Sequence, residues 1–392
     1  MGVSRRAVWF AAAAVAVSLS FLPAGCTTSS SKKATSTPVA SPTVSQTPTS
    51  VPTLTPAAKW VYVANQGSNN ITVIDEATNT VAATVAAGSL SNFVAVTPNG
   101  SLAYIPNLNT NNVTVIDTLT NTVAATIAVG TNPNFVAVTP NGSLAYVTNG
   151  NTLDVTVINT ATNMVVATVA AGPLPGFIAV TPNGSLVYVT NCFSNTVTVI
   201  YTATNTVAAT VAVGTSPWSV AVTPNGSLAY VTNGGTNDVT VISTATNTVA
   251  ATVAVGVNPR FVAVAPNGSL AYVPNNFSAA VTVINTATNT VAATVATGTY
   301  PAIVAVTPNG SFAYVTNYGP GSVSVVSTAT NTVVATVNVG ASPYFVAVTP
   351  NGSLAFVTNQ VSNSVSVIVT ATNAVAATVA TGTSPSVLAI VP

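Results

Sequence analysis

Apolar and polar positions alternate in short runs along most of this chain, and the runs return with a fixed step. In one unit they are Phe135–Thr139, Leu144–Thr148, Val155–Ile158 and Val165–Val169. Between them stand Pro140-Asn-Gly-Ser143, a variable loop, and Asn159-Thr-Ala-Thr-Asn163. Brief runs rich in Val, Ile, Thr and aromatics, bounded by turn formers, read as strands. Gly142 after Asn141 supplies the positive φ that a tight hairpin needs. Connections this short force antiparallel neighbours. Each unit is therefore predicted to be a four-stranded meander. The strands lack a clean polar side, which means that both faces of each sheet are covered, and small Ala at alternate positions suits closely stacked sheets.

The step is 42 residues: the Asn of the Pro-Asn-Gly turn stands at Asn99, Asn141, Asn183, Asn225, Asn267, Asn309 and Asn351. The aromatic of the second strand stands at Tyr62, Tyr104, Tyr146, Tyr188, Tyr230, Tyr272, Tyr314 and Phe356. A fixed period of this length in a chain of four-stranded units points to a radial β-propeller. The ends imply closure. The repeats open on three strand signals (60–63, 71–74 and 81–85) with no first strand before them, and the chain finishes on Ser386–Val391, a first strand with nothing after it. Joining the last strand to the first three completes eight blades and hides two edges that would otherwise template aggregation. The fold class expected is all-β, an eight-bladed propeller of antiparallel blades.

Composition narrows the chemistry. Only 3% of the residues are charged, the net charge is +1, and there is no His. No basic run offers a nucleic-acid surface, and the commonest metal ligand and general base is missing. Asp75, Glu76, Asp117, Asp154 and Asp238 form no close carboxylate pair and no calcium-loop spacing; they read as solvated surface acids. No catalytic residue, metal ligand or cofactor site is assigned. The seven Asn-Gly-Ser tripeptides match a glycosylation pattern but are read as turn chemistry. Beyond residue 30 no apolar stretch reaches the ~20 residues of a spanning helix.

The N-terminus differs from the rest. Arg5 and Arg6 precede the apolar run 7–22, and Ala24-Gly25-Cys26 follows, the layout of an export signal. The ending resembles a bacterial lipobox, with Pro23 departing from the usual pattern, and implies lipidation of Cys26. Residues 1–25 are then the signal, and 26–56, rich in Ser, Thr and Pro, a disordered stalk. Residues 57–392 are the propeller. Cys192 lies in a loop, and with Cys26 acylated no internal disulfide is expected. These features place the protein outside the cytoplasm, at the cell surface or in the periplasm, with the membrane reached only through the lipid.

The segments Tyr146–Asn149, Tyr188–Asn191, Tyr230–Asn233 and Tyr314–Asn317 each read Tyr-Val-Thr-Asn after Pro-Asn-Gly-Ser. They resemble the YVTN-family β-propeller repeat over residues 60–392. That resemblance implies a cell-surface or surface-layer protein; related propellers include lactonases and quinoprotein or haem enzymes. Within the chain, variation gathers in the loop after the second strand and in the inter-blade connection, which share one end of the blade. The last inter-blade position reads Asn92, Asn134, Gly176, Trp218, Arg260, Ala302, Tyr344 and Ser386. It leads into the innermost strand and so should ring the channel mouth. Trp218, Arg260 and Tyr344, with Tyr300 nearby and Asn134, are the candidate binding residues, of types enriched at recognition hot spots. The expected function is a non-catalytic binding or structural module with an envelope protein or glycan as partner, self-association being a further option. The alternative is an enzyme of the lactonase or quinoprotein kind, with its site at the channel mouth.

Overall fold

The computed structural model describes residues 59–392. The signal, the stalk and Cys26 lie outside the described residues. Eight four-stranded antiparallel sheets surround a central axis. The first holds Trp60–Asn65, Asn70–Asp75 and Thr80–Ala86, with the C-terminal strand Pro385–Ile390 as its innermost member. Val61 pairs with Ile390 and Val63 with Leu388, so the tail completes the sheet begun by the head. The remaining sheets follow in chain order, blade two starting at Ala95 and blade eight ending at Ala380.

Burial follows the stacking. The second and third strands are covered on both faces, as in Leu144–Asn149 and Asp154–Asn159. The outermost strands, such as Met164–Ala170, are mostly exposed except for one Val that turns inward. Every outer strand carries a bulge against its neighbour, for instance between Val157 and Ile158. Bulges re-aim an unpaired edge and blunt its capacity to pair with other chains, a role that charged side chains fill elsewhere.

Neighbouring blades are latched by a repeated bond. The hydroxyl of Tyr146, fully buried, donates to Asn205 Oδ1 in the next blade's outer turn at 2.7 Å. Tyr104 and Asn163, Tyr188 and Asn247, Tyr230 and Asn289, and Tyr314 and Asn373 repeat it at 2.6 to 2.7 Å, and Tyr62 reaches Asn121 likewise. Each acceptor Asn sits in the left-handed region, φ 54° at Asn205, which Asn tolerates better than most residues. Each bond contributes about 1 kcal/mol net. Blade eight carries Phe356 instead, and Asn79 Oδ1 in blade one is left buried without a partner. The seam closed by the tail therefore lacks the latch. Tyr272 and Asn331 are also unpaired.

Blades two and six depart from the expected innermost strand: theirs contract to Ala95–Val96 and Ala263–Val264. The cause lies in the second strand. In blade three the Thr148 hydroxyl accepts the Phe135 N–H at 3.2 Å; Thr232, Thr316 and Thr358 do the same for Ser219, Ile303 and Phe345. Blades two and six have Pro106 and Pro274 at that position. Proline removes the backbone donor as well as the hydroxyl, and the donor decides, since blade one has Ala64 there and keeps the full strand Pro385–Ile390. Pairing with the third strand is intact, Pro106 opposite Val113 and Pro274 opposite Val281, so the loss falls on the innermost strand. One isolated bridge remains in each blade, Ser91 to Asn107 and Pro259 to Asn275.

The acids are not uniformly solvated. Glu76 is buried and its Oε2 has no hydrogen-bond partner. Burial pushes its carboxyl above the usual range, Lys59 partly offsets this, and Asp75 adds to it. A position just beyond a strand end gave no sign of this burial.

Candidate functional site

The two diverse connections meet at one end of the disc. The N–H of Gly150, in the loop after the second strand, donates to the Asn132 carbonyl of the inter-blade connection at 2.9 Å, and Gly234 bonds Ser216 in the same way at 3.0 Å. Successive blades interlock there too: the Ser216 N–H donates to Asn195 Oδ1 of the preceding blade at 3.0 Å. The Pro-Asn-Gly turns form the opposite end, where Gly142 has φ 74° and Asn141 Oδ1 accepts from Ser143 N–H and Thr139 Oγ1.

From the diverse end the chain enters the innermost strands through the eight rim residues. One step deeper stand Phe93, Phe135, Phe177, Ser219, Phe261, Ile303, Phe345 and Val387, all buried. Rings of Phe93 and Phe135 lie 5.5 Å apart, Phe135 and Phe177 5.1 Å, and Phe177 and Phe261 6.0 Å. The last contact skips blade five, which is possible only towards the axis where blades converge. These side chains, all apolar but Ser219, form a floor around the axis, and the ring of rim residues one step nearer the diverse end is termed the cup.

The cup is lopsided. On one side the Asn92 amide Nδ2 donates to Asn134 Oδ1 at 2.6 Å, Ser386 Oγ donates to the Asn92 carbonyl at 3.0 Å, and Gly176 adds no side chain. On the other side the Arg260 guanidinium lies 4.8 Å from the centre of the Trp218 ring, a cation–π contact. Ala302 is small, so Arg260 comes within electrostatic reach of Tyr344 beyond it. Burial raises the Tyr344 hydroxyl above the usual phenol range, Arg260 offsets part of this, and Tyr318 adds to it; Tyr344 is a neutral donor. Burial lowers the proton affinity of Arg260 while Tyr344 acts the other way.

Some of the buried unpaired polar atoms lie here, while others recur through the blades, as at Asn65, Asn149, Asn233, Asn275, Asn317 and Asn359. Arg260 Nε, the Tyr344 hydroxyl, Asn92 Oδ1, Asn258 Oδ1 and Ser219 Oγ are all buried without a hydrogen-bond partner in the described residues. Arg260 has no counter-ion: all five acids of the chain are described, and none pairs with it. Asp75 and Asp117 cap outer turns through Ala77 N–H and Leu119 N–H; Asp154 and Asp238 accept from Asn149 and Asn233; Glu76 lies by Lys59.

Of the residues singled out in the sequence, the structure brings Trp218, Arg260 and Tyr344 together and places Asn134 on the facing rim. Tyr300, the counterpart of Asn258 one blade on, has a half-exposed ring 6.3 Å from Phe277 in an edge contact. It sits in the left-handed region at φ 55°. Sequence reasoning passed over Asn92, although it shares the aligned column with Arg260. Cys192 is a free thiol, partly buried, with its pKa raised by that burial, so it is a poor nucleophile. Among the described residues no three His, Cys, Asp or Glu side chains cluster to hold a metal ion, and no helix is long and apolar enough to cross a membrane.

Similar architectures recur among solved structures. The chain resembles hydrazine synthase from Kuenenia stuttgartiensis at 24% identity, over 72% of this chain and 96% of that one, with a TM-score of 0.60. It resembles the dihydro-heme d1 dehydrogenase NirN in complex with DHE at 15%, over 87% and 77%, with a TM-score of 0.74. For AztD from Citrobacter koseri the figures are 12%, 85%, 98% and 0.67. At such identities these likenesses speak for the fold alone. No curated protein matches. The family model described as "Lactonase, 7-bladed beta-propeller" matches residues 89–250 and 122–385. By that match over most of its length the chain belongs to the lactonase propeller family, here with an eighth blade.

Proposed function

We propose that this protein is a non-catalytic binding module of the cell envelope, tethered through Cys26 and presenting the diverse face of its propeller to a ligand. The observation that carries this reading is the cup itself. A guanidinium without a counter-ion is stacked on an indole beside a buried, unpaired phenol. Such a constellation recognises; it does not supply a base, because the chain has no His and none of its acids pairs with Arg260. The partner is an envelope glycan or protein, held by hydrogen bonds and one charge. Self-association of the anchored discs is compatible with this role, since the uncharged outer strands are guarded by bulges alone.

The family match favours a second reading, hydrolysis of a lactone in the same cup. One experiment separates the two. The full chain is screened against envelope glycans and proteins and, in parallel, against simple lactones, with Trp218→Ala alongside. Capture of a ligand that falls at least tenfold in the variant, with no lactone turnover, supports the binding role. Lactone turnover abolished by the same substitution would establish the enzyme instead.

A further inference from the structure

The seven Pro-Asn-Gly-Ser turns share one sequence but not one set of bonds. In six of them a buried Thr stands two residues before the Asn and braces the turn twice. Its hydroxyl donates to the Asn Oδ1 at 2.6 to 2.7 Å, from Thr97 on Asn99 to Thr349 on Asn351. The same oxygen accepts the backbone N–H that opens the second strand, Leu144 in blade three, at 3.0 to 3.1 Å. Blade six has Ala265 there. Both donors left to Asn267 Oδ1 belong to Ser269, its N–H at 3.0 Å and its hydroxyl at 2.8 Å, so nothing ties this Asn to the incoming arm of the turn. The strand in that arm is also short, Ala263–Val264. Blade two has an equally short strand but keeps Thr97. Asn267 is exposed, and Gly268 stands at φ 73°.

We infer that Asn267 is a modification site, where the side-chain amide is lost as ammonia and an aspartyl or isoaspartyl carboxylate takes its place. The step needs no enzyme and no reactant but water. The Gly268 nitrogen gives up its proton and bonds to the side-chain carbonyl carbon of Asn267. The bond from that carbon to Nδ2 breaks, and ammonia leaves with the proton. Water then opens the five-membered imide on one side or the other of its nitrogen. Glycine admits the attack most easily, since no side chain shields its nitrogen. Two things oppose ring closure in the folded turn. The Gly268 N–H is held by the Ala265 carbonyl at 2.8 Å, as its counterparts are in the other six turns. The Asn side chain must also leave its Oδ1 donors to bring its carbon onto that nitrogen. The first restraint is common to all seven turns, and the second lacks its Thr only in blade six. Local sequence does not make this difference, because Pro-Asn-Gly-Ser is the same throughout. Conversion places a negative charge at the constant end of the disc and cancels the chain's net charge of +1. It is independent of the binding reading above.

The test incubates the full chain near neutral pH, well below its melting temperature, and follows each Asn-Gly pair over weeks. Conversion is read by mass spectrometry on overlapping fragments that reach a residue unique to each blade, by isoaspartyl methyltransferase labelling, and by isoelectric focusing of the intact chain. In denaturant the seven pairs should convert at one rate. In the folded chain Asn267 should convert about fivefold faster than the other six, the factor that one net hydrogen bond supplies. Asn99, whose strand is equally short, should stay with the slow group. Ala265→Thr should slow Asn267 about fivefold, and Thr223→Ala should speed Asn225 by about the same factor. Both variants are checked to melt with the wild type; if Ala265→Thr does not, Thr223→Ala decides. Equal folded-state rates at all seven turns, or an Asn267 rate unmoved in a folded Ala265→Thr, overturns the inference. An Asn225 rate unmoved in Thr223→Ala does the same. Asn99 converting as fast as Asn267 also overturns it, by giving the cause to the short strand in place of the missing hydroxyl.

Discussion

The seams between blades and the cup at the channel mouth are built from the same residue types and treat polar groups in opposite ways. At a seam such as that between blades three and four, Tyr146 is buried and its hydroxyl meets a waiting Asn205 carbonyl in a neighbouring turn. In the cup, Tyr344 is buried, an Arg lies beside it, and neither completes its hydrogen bonds within the chain. Both environments desolvate a phenol, and burial raises the pKa in both. The difference is the partner. Six latches are finished by the protein, from Tyr62 to Tyr314; the Tyr272–Asn331 latch and the seam at Asn79 are not, and neither are Arg260 and Tyr344. In a molecule of near-identical repeats, what sets Arg260 and Tyr344 apart is that they stand in a column where the repeats differ.

Three measurements press on that contrast, the first expected to be the largest. Burial pushes the hydroxyls of Tyr104, Tyr146, Tyr188, Tyr230, Tyr272 and Tyr314 up to about 12. An unfolded Tyr titrates near ~10. The folded form therefore holds these protons more tightly, and the associated stability is complete below about pH 10 and falls as pH rises towards about 12. A denaturant midpoint followed against pH should stay level through neutrality and collapse over that window. A stability flat to pH 12 would show that the phenols are not held as described.

A smaller effect should follow from converting blades between the two inner-strand types. Thr148→Pro removes the acceptor for the Phe135 N–H and one backbone donor, and should cost about 2 kcal/mol. Pro274→Thr should regain about 1 kcal/mol and slow amide exchange over 259–262. Unchanged exchange in that variant would separate the proline from the frayed strand. The smallest expected change is at the closing seam: Phe356→Tyr should donate to Asn79 Oδ1 and add about 0.5–1.5 kcal/mol, read as a raised denaturant midpoint. No gain there would mean that the seam geometry does not admit the hydroxyl.

Much of the architecture was legible in the chain because a fixed step, turn chemistry and strand-length runs are local signals. The eightfold count and the union of Ser386–Val391 with the first three strands followed from counting strand signals alone. The latch was not legible. Tyr146 and Asn205 are 59 residues apart, and each looks like an ordinary member of its own repeat until blades are stacked with a definite hand and angle. Pro106 and Pro274 were visible as variants of the Tyr-Val-Thr-Asn segment, but their effect depends on which side of the second strand lacks its donor. For the site, column comparison isolated Trp218, Arg260 and Tyr344, which the fold brings together. Tyr300, also singled out, packs its ring on Phe277, a contact between a residue of one connection and the loop of the blade before, which no column comparison displays.

Pairing of the last strand with the first blade sets a schedule for the growing polypeptide. The opening three strands must persist as an incomplete sheet while seven further blades are synthesised, and the ring stays an arc until Pro385–Ile390 leaves the ribosome. Removal of Pro385–Ile390 would thus fall on the first blade, at the join that carries Phe356 in place of tyrosine.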